Sequence, residues 1–204
     1  MTGEAGAFDE NAARRAWERA VPALEARIAG AFEALCARAV LADASLDFRP
    51  RPGAWTPREV LEHVTLTDRF VGILARKIVE KSARRLAAGE PWPRHGPRFE
   101  HLEELGARAF RWRHPEHMTP RGGLSRSDLL ERLDEDRGQC LALAVALPPG
   151  AGTLHAIRMS ALPGDDRLDL YQYLALLALH AERHARQIDR ALAGGGGGAE
   201  PRRA

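Results

Sequence analysis

Apolar residues recur along this chain at steps of three and four, and polar residues fill the gaps. Trp17, Val21, Leu24, Ile28, Phe32, Leu35 and Ala39 make one such stripe, which predicts a first long helix from about Asp9 to Ala44. Pro50, Pro52 and Gly53 interrupt it. A second helix opens sharply: Thr56 suits the N-cap, Pro57 the first helical position, and Glu59 completes a capping box. Its apolar positions are Val60, Val64, Phe70, Ile73, Leu74 and Ile78, and it extends to about Ala88. A third helix starts after Ser125, with Asp128 three residues on. It carries Leu129, Leu130, Leu133, Leu141 and Val145 and stops before Pro148. A fourth runs from near Asp166 to Leu192 through Leu170, Leu174, Leu177 and Ile188.

Between the second and third helices lies a stretch of different character, "GEPWPRHGPRFEHLEELGARAFRWRHPEHMTPRGG" at residues 89–123. It is rich in Pro, Gly, His and Trp, and Phe99 to Trp112 suits a short helix within it. A connection of this length inside one domain is a crossover or a functional segment. Residues 151–165 read as irregular, with an extended piece at Leu154 to Met159. The glycine run at 194–198 and the polar end predict a disordered tail over 194–204. The fold class is therefore all-α: a four-helix bundle over 1–193 with a long crossover, or lid, at about 89–123. The short loop between the first two helices favours placing them side by side and antiparallel.

Composition narrows the function classes. The chain has 204 residues and a formal charge of +2, with arginines and acids interspersed. That balance predicts no nucleic-acid surface. No apolar run reaches the ~18 residues of a membrane span, and the N-terminus lacks the basic-then-apolar order of a signal peptide. Cys36 and Cys140 are isolated in apolar helical contexts, which suits reduced core residues in a cytoplasmic protein.

The chemistry concentrates in "LHAERHARQI" at 179–188. At about 100° per residue, His184 lies ~40° around the helix from His180 and one turn along it. Both imidazoles therefore reach one point beside the inward face. Such a pair offers two neutral nitrogens to a divalent transition metal. Two ligands bind weakly, and "EVLEHVTLTDRF" in the second helix supplies His63 as a candidate third. Three histidines with open positions would make a catalytic rather than a structural site. Against this stands the ordinary alternative, in which a core-facing histidine is simply a hydrogen-bonded core residue. Around the site, Arg183 suits an anionic substrate group or an ion pair. Gln187 suits a ligand-orienting role or a backbone contact. Glu59 and Asp68 are further supporting candidates, Glu59 being better explained as part of the capping box. Glu182 lies ~200° from His180 and points away. His95, His101, His114 and His117 leave a loop site open, though they read better as exposed or lid residues. Trp92 and Trp112 suit packing of the crossover on the bundle, and Trp55 suits anchoring the turn into the second helix.

"AWTPREVLEHV" and "LDLYQYLALLALHAERHARQID" resemble the second-helix opening and the final helix of the DinB/YfiT-like metalloenzymes. The resemblance spans roughly residues 10–193, although only those two stretches are specific. It implies a four-helix bundle with a long crossover after the second helix, and His63, His180 and His184 as metal ligands. It also implies a divalent metal, zinc or nickel above all, and for some members a low-molecular-weight thiol cosubstrate such as mycothiol or bacillithiol. The expected function is metal-assisted activation of water or thiol on a small-molecule substrate, as a hydrolase or thiol transferase, with a homodimer as the family's suggestion. The competing expectation is a non-catalytic stress-response or interaction protein with a structural or vestigial metal site. The crossover and residues 151–165 depart from the family pattern.

Overall fold

The computed structural model describes residues 9–100, 102, 115–159 and 167–194. Its long helices are α1 (Glu10–Ala39), α3 (Pro57–Ala87), α4 (Arg126–Ala144) and α5 (Leu170–Leu192), with a single-turn α2 (Asp43–Leu46) after α1. The N-termini form where the side chains can replace missing helical hydrogen bonds. Asp9 accepts from Ala12 N–H at 2.9 Å. Thr56 and Glu59, Ser125 and Asp128, and Asp169 and Gln172 each close a reciprocal capping box.

The apolar stripe of α1 is the buried face, from Trp17 through Ala39. The helix ends at Ala39 rather than Ala44: the chain turns at the exposed Val40, and α2 then buries Leu46 completely. In α3 the core face is Val60, Leu61, Val64, Val71, Ala75 and Ile78, whereas Phe70 and Ile73 lie outward. Phe70 instead covers the ring of His117, at 5.1 Å between centroids. Helix α5 begins at Leu170, four residues later than its apolar pattern suggests, because Asp169 is the N-cap. The residues before it form β2 (Arg167–Leu168), which pairs antiparallel with β1 (Ile157–Arg158) in the register Ile157 opposite Leu168. A 3-10 turn at Ala151–Leu154 precedes β1.

Helix α1 packs mainly on α4 and α5, and α3 packs on the same two. The first two long helices thus face each other across a diagonal and are not neighbours, contrary to the short-loop expectation. Residues 40–56 contain α2 and a proline-rich stretch, long enough to cross the end of the bundle. Every residue from Leu170 to Leu179 is buried, because α5 is covered by α1, α3 and the 151–154 turn. The histidine pair sits just beyond this fully buried half.

The two ends of the crossover dock at different places. Its beginning lies over the start of α1 and α5. There Trp17 donates its indole N–H to the His95 carbonyl at 2.7 Å and packs against Tyr171. Trp92 packs on the core, with the Arg14 guanidinium 4.1 Å from its ring centroid. Gly150 is forced here: its φ is +92°, and a Cβ would stand 2.6 Å from the Trp17 ring. The crossover's last part, from the 3-10 turn Glu116–Met118 onward, lies on α3. The expected short helix at Phe99–Trp112, with His101, Trp112 and His114, falls largely outside the described residues, as does the tail from 195. Cys36 and Cys140 are free thiols.

Candidate metal centre

His63 belongs to the second turn of α3, and His180 and His184 to α5, the helix packed against it. The four-residue spacing on α5 brings its two rings edge to face, 4.3 Å between centroids at an interplanar angle of 72°, and the His63 ring stands 5.3 Å from His180 and 5.1 Å from His184. One nitrogen from each ring lies within 4.8 Å of the other two, so the three could hold one ion. Among the described residues this is the one group of three or more His, Cys, Asp or Glu side chains so arranged.

Hydrogen bonds fix which nitrogens face inward. A carbonyl only accepts, so the His63 Nδ1 that lies 2.8 Å from the Met118 carbonyl carries its proton, leaving Nε2 bare. His184 Nδ1 is likewise held by the Gln187 side-chain oxygen at 2.7 Å, which leaves its Nε2 bare. That nitrogen lies 3.0 Å from Nε2 of His180. Two bare nitrogens at this distance repel unless a proton or a cation lies between them. With a proton there, the lone pair of His180 falls on Nδ1, which is buried and has no hydrogen-bond partner. Donors on a common tetrahedral ion at about 2.1 Å stand ~3.4 Å apart, so this pair needs to open by only a few tenths of an ångström to take one.

Electrostatics favours the ligand form. Burial first, then the neighbouring His184, His63 and Arg183, pull the His180 pKa well below its ordinary value. A neutral imidazole is what a metal requires. His63 and His184 are 5% and 3% exposed, whereas His180 keeps some exposed surface. The cluster is therefore largely buried, and His180 is the least buried of its three residues.

Gln187 touches a ring of the triad, and Arg183 is close enough to act on His180 through its charge. Glu59 does neither. Its carboxylate accepts from Thr56 N–H at 2.7 Å and from Arg49 at 3.0 Å. Asp68 has its nearest charged influence in Asp136 of α4, not in the histidines. Glu182 pairs with Arg27 of α1 at 2.8 Å, away from the cluster. His95 lies 3.4 Å from Asp169 and His117 lies against Phe70, so the described loop histidines stand apart from the triad.

Three further residues at the centre escape the sequence pattern. Trp55 packs its ring 4.9 Å from that of His63, so it borders the centre as well as the turn. Met118 supplies the carbonyl, and Glu62 grips the backbone just beyond it, at Arg121 and Gly122. A charged residue inside "VLEHV" is a faint signal for Glu62, but no local spacing reveals the crossover backbone it meets.

No curated protein and no solved structure is matched by this chain. The profile of the DinB superfamily matches residues 12–188, nearly the whole described bundle and all three histidines. With four long helices and little strand among the described residues, a three-histidine cluster between α3 and α5, and the family match over 12–188, the chain belongs to the DinB superfamily.

Proposed function

We propose that this chain is a metal-dependent enzyme in which His63, His180 and His184 hold a divalent ion, zinc or nickel by the family resemblance. The observation that carries this reading is the convergence of three imidazole nitrogens, two of them with their opposite nitrogens occupied by hydrogen bonds. A bound ion would lower the pKa of a water or a small thiol and make either a nucleophile near neutral pH. The remaining work falls to the chain itself. Met118 and Gln187 orient two of the rings. Trp55 offers an apolar wall beside His63. Arg183 places positive charge by His180, where it suits the carboxylate or other anionic group of a small substrate. Three protein ligands with His180 the least buried of them support an open position, and so catalysis rather than a closed structural site. The reaction class is hydrolysis or thiol transfer.

The test has two stages. Metal per chain is measured on protein purified without chelator, for wild type, His63→Ala and His184→Ala. About one metal per chain in wild type, lost in both variants, is expected. Equal metal in all three would refute the site. The metal-loaded protein is then assayed for transfer of low-molecular-weight thiols and for ester and amide hydrolysis. Turnover that disappears in both variants is expected, and turnover that persists in them would place the chemistry elsewhere.

A further inference from the structure

Glu62 and His63 are consecutive residues of α3, and both grip the same short piece of the crossover. The Glu62 side chain is buried, and its two carboxylate oxygens accept from the backbone N–H groups of Arg121 at 3.1 Å and Gly122 at 2.6 Å. Gly122 has a φ of +71°, the left-handed region that turns successive amides toward one anion. Three residues earlier along the strap, the Met118 carbonyl accepts the Nδ1 proton of His63, and the Met118 side chain is itself buried. Helix α3 thus holds one backbone segment by its amides through Glu62 and by a carbonyl through His63. Charged acceptors bind amides about twice as strongly as neutral ones, so Glu62 is the stronger of the two grips.

We propose that Glu62 is a positioning residue for His63. By tying residues 121–122 to α3, it keeps the Met118 carbonyl where it enforces the Nδ1–H tautomer, with bare Nε2 turned to His180 and His184. Without the carboxylate, the strap is released, and His63 loses the partner that fixes its tautomer and ring orientation. Glu62 touches neither the three rings' converging nitrogens nor any reacting group. It builds on the metal reading of the triad for one of its two readouts; the other needs no metal.

The experiment compares the full chain as wild type, Glu62→Gln, Glu62→Ala and Ile78→Val. The last removes a buried methyl far along α3 and serves as the control for a general loss of folding stability. Histidine-labelled, metal-free protein is studied first by nitrogen-15 NMR. Wild type should show His63 as the Nδ1–H tautomer with a slowly exchanging ring proton. Both Glu62 variants should show a tautomeric mixture with that proton exchanging at least ~10-fold faster, and Ile78→Val should resemble wild type. Cobalt(II) is then titrated against a competing chelator. Its affinity should fall ~10- to 100-fold in the Glu62 variants, with an altered visible spectrum, and stay unchanged in Ile78→Val. Wild-type tautomer and exchange rate in both Glu62 variants would overturn the proposal, as would an equal change in Ile78→Val. Failure of wild type to take up cobalt would overturn the metal reading, and the tautomer measurement would still decide the role of Glu62.

Discussion

Helix α3 buries polar groups on two of its faces, and they meet different fates. His63 faces α5, where its ring nitrogens meet a backbone carbonyl on one side and two further imidazoles on the other. Asp68 comes five residues later, ~140° around the helix. It is only 3% exposed, and neither carboxylate oxygen has a hydrogen-bond partner. Burial, and then the charge of Asp136, push its pKa well above the carboxylate range. Asp136 itself is raised to about 7 by burial and by Glu135. The Gln139 side-chain nitrogen in the same part of α4 is also buried without a partner, and the Cys140 thiol is pushed up by burial, Asp68 and Asp136. A buried polar side chain signals a binding centre when its lone pairs converge with others on one point. Where they do not, the group takes up a proton and destabilises the fold when it must give that proton up.

The sharpest way to separate the two faces is metal content. His184→Ala should reduce bound metal to near none, whereas Asp68→Asn should keep it at the wild-type level, read as metal per chain. Metal loss in Asp68→Asn would join the two faces into one site.

The second effect is on stability. A carboxyl whose folded pKa is raised keeps a proton that the unfolded chain releases. Its presence therefore lowers stability as pH rises from about 4 towards the folded value. Asp68→Asn should raise unfolding free energy at pH 8 by on the order of 1–3 kcal/mol and change it little at pH 3.5. Denaturant melts at the two pH values check this, and a pH-independent effect would contradict it.

Asp136 is partly exposed, so water screens it. The same comparison for Asp136→Asn should give a smaller gain, ~1 kcal/mol, developing between pH 4 and pH 7. A gain as large as that of Asp68→Asn would mean that water screens Asp136 no better than Asp68.

The smallest effect is expected at Gly72, on the α4 side of α3. A Cβ there would stand 2.5 Å from the Gln139 side-chain nitrogen, the end of a flexible chain. Alanine gains about 1 kcal/mol of helix propensity and displaces that amide, so the melting temperature of Gly72→Ala should stay within a few degrees of wild type. A drop of more than ~10 °C would show that Gln139 is held fixed.

Sequence by itself determined the bundle and the pair on α5. The α1 stripe, the capping boxes at Thr56 and Ser125, and the four-residue step from His180 to His184 are local regularities, and local hydrogen bonding and side-chain direction obey them. His63 was legible as a candidate because a buried imidazole without a partner is unfavourable. Helix order around the bundle, the outward turn of Phe70 and Ile73, the contact of Trp55 with His63 and the hold of Glu62 on residues 121–122 were decided only in three dimensions. Each depends on which distant backbone arrives at a given face, and the packing of the whole chain selects that. The same reason separates Asp68 from His63: along the sequence both are polar residues on one apolar helix, and only the neighbouring helix makes one part of a three-histidine cluster and the other a buried acid.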